Sequence, residues 1–411
     1  MQTTTPPPTS LRPLFALPVV VAALGYFVDV YDLLLFNIVR VPSLKDLGLS
    51  EADTSLIGGR ILNYQQAGLL LGGILWGILG DKRGRLSVLF GSIITYSLAN
   101  IACGFVKDPQ VYAILRFVAG LGLAGELGAG ITLVSEILPK ELRGYGSSLV
   151  ASVGLLGAVV AYFTVTLFDW RTTYFIGGGL GLGLLVLRVS VLESGMFKRV
   201  QQSGVSRGNF IDLFRGRERL LRYLRCMGLA LPTYLVIGIL ATFGNEFGKA
   251  LGIPEAIQPG RCVMFTYIGT VIGDLLSGVI SQRFRSRRKA IGLMIGLTLV
   301  FVVIYLSGVI HTAPVFYGIC VGMGFSIGYI AMFLTVTAES FGTNLRATAT
   351  TSVANNVRAT TLLTIPAFQA MKPAIGVLGA GAIVATLCFA ISFWSLATIE
   401  ETYGKDLDYS E

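Results

Sequence analysis

Charge is scarce in this chain. Of its 411 residues only 13% are Asp, Glu, Lys or Arg, against 53% hydrophobic, and the mean hydropathy is +0.72. An ordinary soluble domain carries about 25% charged residues, so this composition excludes one and describes a polytopic membrane protein. Histidine is almost absent: His311 is the only one, at a predicted helix end, which argues against a histidine proton relay or a His-based metal site. The five cysteines, at 103, 226, 262, 320 and 388, are odd in number, scattered and free of any CxxC pair. They supply neither a disulfide framework nor a metal centre. With short spare loops, no soluble domain and no visible catalytic dyad, an enzyme is disfavoured. No cofactor is expected.

Glycine, by contrast, is abundant: 51 are spread through the apolar stretches, where they permit close helix packing. About 20 residues cross a bilayer. On that measure the chain divides into twelve spans, near 15–39, 56–80, 86–106, 109–134, 145–168, 171–192, 223–247, 259–282, 289–310, 314–338, 345–369 and 374–398. The predicted fold is an all-α membrane protein, twelve transmembrane helices in two six-helix pseudo-symmetric halves. Residues 1–13, rich in Thr and Pro, read as a mobile tail; 14–192 form the first bundle, 193–222 a cytoplasmic linker, 223–399 the second bundle and 400–411 an acidic tail. The first span is a retained helix rather than a signal peptide, because apolar sequence continues past Asp29 and Asp32 to Val39.

The net charge of +9 sorts by loop. Lys82, Arg83, Arg85, Lys140, Arg143, the run from Lys198 to Arg225, the cluster from Arg283 to Lys289 and Arg346 all follow even-numbered spans. About seven cations, among them Arg40, Lys45, Lys107 and Lys372, fall in loops on the other side. The positive-inside rule then puts both termini in the cytoplasm. Basic charge therefore calls for no nucleic acid; the expected partners are the bilayer, a small-molecule substrate and protons, with the chain a monomer.

Charge inside the spans is the most informative feature, since an ionisable side chain at bilayer depth costs at least a few kcal/mol. Asp29 and Asp32 lie in span one, Arg116 and Glu126 in span four, Asp274 in span eight and Arg358 in span eleven. With a rise of about 1.5 Å per residue, Asp32 and Arg116 share a depth and can pair, while Asp274 and Arg358 both fall near the midplane. Arg358 follows Asn355 and Asn356, and a planar guanidinium beside two amides suits a carboxylate. Polar residues of span two, Gln65 among them, and aromatics such as Tyr31 are candidates for a cavity wall. A second pattern is a repeated exit: Glu136 and Arg143 stand seven apart, as do Glu339 and Arg346 half a chain later. Such internal repeats in apolar chains point to transporters.

After span two the sequence reads GILGDKRGRL, with Gly77, Asp81, Arg83, Gly84 and Arg85; the second half has GVISQRFRSRRK, with Gln282 where the first copy has Asp81. This resembles the cytoplasmic loop signature of the major facilitator superfamily, and the resemblance covers nearly the whole chain. Asp29-Val30-Tyr31-Asp32 and Gly125-Glu126-Leu127-Gly128 look like the span-one and span-four turns of proton-coupled metabolite symporters for organic acids, sialate or phosphate, with Ala124 replacing the first glycine of the latter. The resemblance implies alternating access in a multi-pass protein of the bacterial inner membrane. Asp29, Asp32 and Glu126 are the expected proton-coupling acids. Arg358, Asn355, Asn356, Arg116, Gln65 and Tyr31 are the expected substrate contacts. Gly77, Asp81, Arg83, Gly84, Arg85, Glu136, Arg143, Glu339 and Arg346 are the expected conformational latch. Two structural alternatives stand beside these: Asp29 and Asp32 locking span one to Arg116, and Asp274 pairing with Arg358. A proton-driven exporter of drugs or siderophores is the rival function.

Overall fold

The computed structural model describes residues 12–83, 85–124, 143–193, 213, 216–342 and 345–404. These residues are overwhelmingly helical. The first half contains α1 (Leu17–Asp46), α2 (Glu51–Arg83), α3 (Arg85–Cys103), α4 (Pro109–Leu123), α5 (Arg143–Leu167) and α6 (Trp170–Glu193). The second contains α7 (Arg217–Leu229), α8 (Leu231–Leu235), α9 (Gly244–Ala250), α10 (Pro259–Phe284), α11 (Arg287–Leu306), α12 (Ala313–Ile327), α13 (Ile330–Ser340), α14 (Arg346–Ala359) and α15 (Thr361–Thr398). Local chemistry sets several starts. Pro109 opens α4 behind Asp108, whose carboxylate accepts from the Gln110 and Val111 amides at 2.6 and 3.3 Å; Ser286 caps α11 by accepting from the Lys289 amide at 3.1 Å.

By length and apolar character six of the described helical segments can cross a bilayer, and a seventh if α7 and the stretch after it, bent by 45°, form one crossing. Three depart from simple rods. The stretch from Ala313 to Ser340 breaks at Gly328 and Tyr329, dividing α12 from α13. Between α8 and α9, Val236–Ala241 is a π-helical segment followed by a turn, a local widening of the kind found at functional positions. α15 turns sharply at Gly376, whose φ of 73° only glycine adopts readily.

Paired glycines bring helices into backbone contact at matching places in the two halves. A β-carbon on Gly68 or Gly72 of α2 would strike the α4 backbone at Phe117 and Leu121. One on Gly269 or Gly273 of α10 would strike the α12 backbone at Val321 and Phe325. The two pairs stand 201 residues apart, the same offset that relates Gly77 to Gly278. The internal repeat therefore lies in backbone packing as well as in the loops.

The two halves are joined at the end of the molecule that carries Asp46, the Asp46 face. Arg40 is wholly buried there. Its Nη2 donates to the Thr242 carbonyl at 2.9 Å and to Asn245 Oδ1 at 3.4 Å, its Nη1 lies 3.9 Å from Glu246, and its guanidinium sits 4.3 Å from the Phe243 ring centre. Lys372 donates to Glu246 and to the Ser55 hydroxyl, both at 2.7 Å. Asn37 reaches Thr242 Oγ1 at 2.7 Å, Arg261 reaches the Tyr162 hydroxyl at 3.0 Å, and Lys249 pairs with Glu51. This corrects the placing of Arg40 and Lys372 among loop cations: both lie inside helices, held by partners more than a hundred residues away. α7 likewise starts at Arg217, within the expected linker, because the basic residues of its first turns continue the helix rather than interrupt it.

Candidate substrate-binding site

A small, partly open pocket lies between the halves. Tyr26, Asp29, Val30 and Leu33 of α1, Leu69 of α2 and Leu123 of α4 form the wall on one side, and Arg358 of α14 stands opposite. The lining is apolar apart from one phenol, one acid and one guanidinium, and the two charges come from opposite halves.

Arg358 is the one cation among the described residues of the lining. Its Nε donates to the Tyr234 hydroxyl at 3.3 Å, but its Nη1 is buried with no hydrogen-bond partner among the described residues. Buried donors are nearly always satisfied, and a guanidinium offers paired N–H groups matched to a carboxylate. Tyr26, Tyr234 and Tyr267 gather within electrostatic reach of it. Asn355, on the same helix, holds its Oδ1 buried without a partner among the described residues and lies beside Gly73 of α2. Asn356 is turned elsewhere: its Nδ2 donates to the Tyr223 hydroxyl at 2.8 Å.

The two span-one acids part company. Asp29 faces the cavity, whereas Asp32 is wholly buried against α6, in space left by the missing side chain of Gly177. Arg116 does lie at the depth of Asp32, yet its Nη2 donates to the Asp32 main-chain carbonyl at 3.1 Å, its Nη1 to Asn100 Oδ1 at 2.7 Å and its Nε to Gln65 Oε1 at 3.3 Å. Gln65 in turn donates to the Leu33 carbonyl at 2.8 Å. Tyr31 donates to the Thr173 carbonyl at 3.2 Å and shares a 2.9 Å bond with the Thr164 hydroxyl. The cavity wall thus omits Arg116, Gln65 and Tyr31, which sit in the interior of the first half.

Asp274 and Arg358 are not an ion pair. Asp274 Oδ1 accepts from the Ala331 amide at 2.9 Å, across the break between α12 and α13. Glu339 pairs with Arg287 at 3.4 Å and accepts a 2.6 Å bond from the Thr402 hydroxyl, while Arg346 Nε donates to the Ala338 carbonyl at 2.9 Å. Glu126, Glu136 and Gly84 lie outside the described residues. Gly77, Asp81, Arg83, Arg85 and Arg143 are described only as helix backbone, in α2, α3 and α5. Sequence reasoning missed Tyr26, Tyr234 and Tyr267, because tyrosines are spread along the whole chain and nothing in their local sequence sets these three apart.

The profile of the Major Facilitator Superfamily matches residues 22–359. The sialic acid transporter of Escherichia coli is 24% identical over 388 residues, covering 90% of each chain. The gentisate transporter of Corynebacterium glutamicum is 24% identical over 343 residues, 78% of this chain and 73% of that one. Among solved structures, a D-xylose-proton symporter superposes with a TM-score of 0.68 at 16% identity, covering 95% of this chain and 99% of that one.

Proposed function

The chain belongs to the major facilitator superfamily, and we propose that it imports a small carboxylate together with protons, by alternating access. Family and fold make it a multi-pass membrane transporter rather than an enzyme. The observation that carries the substrate class is the buried Nη1 of Arg358, facing a small cavity with no partner among the described residues. Gentisate and sialic acid, the compounds named for two relatives, are both carboxylates.

In this reading the substrate carboxylate completes the hydrogen bonding of Arg358, with Asn355 at hand on the same helix face. Asp29 is the acid placed to respond. A protonated carboxyl crosses a dry intermediate more cheaply than a carboxylate, so the swing is favoured when anion and proton are bound together. Asp32 and Glu126 complete the proton-coupling set, and Asp32 acts from inside the bundle. Arg116 and Gln65 hold α1, α2, α3 and α4 in register around the site. The twelve-span count, cytoplasmic termini and residence in a bacterial inner membrane belong to the same proposal. It places the Asp46 face outside, so the contacts of Arg40 and Lys372 close the outer entrance.

The test is uptake by vesicles containing the purified protein, with labelled gentisate and sialate as probes and an inward proton gradient. Loss of a charge-assisted hydrogen bond costs about 1.5–3 kcal/mol, so Arg358→Ala weakens apparent affinity by about 10- to 100-fold. Asp29→Asn abolishes gradient-driven accumulation and leaves anion exchange intact. Wild-type uptake by Arg358→Ala, or efflux of the probes as protons enter, refutes the reading.

A further inference from the structure

The break between α12 and α13 leaves helix-start amides in the middle of an apolar stretch. The first N–H groups of any helix have no partner within it, and Tyr329, at the capping position of α13, offers no side-chain acceptor to them; its hydroxyl instead donates to the Leu229 carbonyl at 2.9 Å. The missing acceptor comes from another helix. Gly273 and Gly328 allow α10 to touch the break backbone to backbone, and the next residue, Asp274, puts its Oδ1 2.9 Å from the Ala331 amide. Ala331 is the second residue of α13, one of the two positions that an N-cap side chain ordinarily serves.

The far end of α13 is also tied down. Glu339 pairs with Arg287 at 3.4 Å and accepts from the Thr402 hydroxyl, and Arg222 donates to the Ser340 carbonyl at 3.0 Å. An 11-residue rod therefore runs from Asp274, which lies within electrostatic reach of Tyr26 on the cavity wall, to a clasp on the face that carries Arg287. In the first half the residue 201 positions earlier is Gly73, so this carboxylate belongs to one repeat only.

We propose that Asp274 is a positioning residue of the transport cycle: it caps α13 from the neighbouring helix and so holds the rod that links the cavity to the Glu339 clasp. It works through its acceptor oxygen and carries no transported proton. The role is independent of which anion the cavity binds.

Asparagine keeps that oxygen and cannot titrate, which separates the two roles. Hydrogen exchange of the 330–333 amides is measured in the intact protein in nanodiscs, for wild type, Asp274→Asn and Asp274→Ala. Asp274→Asn keeps wild-type protection, and Asp274→Ala exchanges about tenfold faster there, the scale set by loss of one helix cap, with α1 amides unchanged. Gradient-driven gentisate uptake by Asp274→Asn keeps the wild-type pH profile. Exchange in Asp274→Asn as fast as in Asp274→Ala, unchanged protection in Asp274→Ala, or a displaced pH profile in Asp274→Asn overturns the assignment. If Asp274→Ala does not fold, the Asp274→Asn results decide. The exchange measurement needs no substrate, so its outcome stands apart from any failure of the anion reading.

Discussion

Replacing Arg40 by alanine should unseal the Asp46 face. The guanidinium makes a 2.9 Å bond to the Thr242 carbonyl, a longer one to Asn245, a 3.9 Å approach to Glu246 and a stacked contact with Phe243. A hydrogen bond from a charged donor contributes about 1.5–3 kcal/mol, and a partly desolvated cation over an aromatic ring about 1 kcal/mol. Glu246 keeps Lys372 at 2.7 Å, so the larger penalty for a stranded buried charge does not apply. The closed arrangement therefore loses about 3 kcal/mol relative to the open one, a shift of about 100-fold in their ratio. Ile38, packed against Gly260 between the halves, is the reporter: it is only 3% exposed, and all five native cysteines are buried. In intact cells, labelling of Ile38→Cys by a membrane-impermeant maleimide should accelerate by up to about 100-fold when Arg40→Ala is added, with thermal stability little changed. An unchanged labelling rate would show that Arg40 contributes nothing to closure, and the account of this face would fail.

Two further outcomes follow from contacts described above. Partial burial pushes the Glu401 carboxyl up, but bonds from the Ser286 hydroxyl and from the Tyr403, Arg287 and Arg288 amides outweigh this and hold it below the usual range. A carboxyl depressed on folding stabilises above its unfolded value, near pH 4.3, and loses that contribution as pH falls through the folded value. Glu401→Gln should thus melt below wild type at pH 7, and the gap should close below about pH 4. Arg116→Lys leaves one ammonium to serve acceptors on three elements, which a planar fork spans and a point charge does not; thermal unfolding in detergent should show a loss of about 2–3 kcal/mol, and a wild-type melting curve would refute the framework role.

The charges that a membrane makes expensive were legible because cost alone singles them out. Asp29 and Arg358 were found that way and meet at one cavity. Asp32 was found by the same argument but faces inward, since three residues along a helix turn the side chain by about 60° from its neighbour's direction and sequence does not say which side is the cavity. For Arg116 depth pointed to the right neighbour, Asp32, but only packing decides that its Nη2 reaches the main-chain carbonyl of that residue. Arg40 and Lys372 read as loop cations, and Glu246 drew no attention, because each lies near the end of an apolar stretch, where a charge ordinarily sits in water. Their pairing joins residues some 200 and 126 positions apart, and no local pattern reports that. The breaks at 328–329 and 236–241 were likewise invisible, since neither carries proline and glycine is everywhere.

The paired glycines of α2 and α10 bear on how such a molecule can move. Where two backbones touch there are no side chains to slide, so α2 with α4 and α10 with α12 each behave as a single welded wedge. Rocking has to be absorbed elsewhere, across surfaces built from side chains that can exchange partners. The weld exists in duplicate, but the chemistry does not: Asp274 beside one weld is matched by Gly73 beside the other. The repeat thus duplicates the frame without duplicating the acid that caps the broken helix.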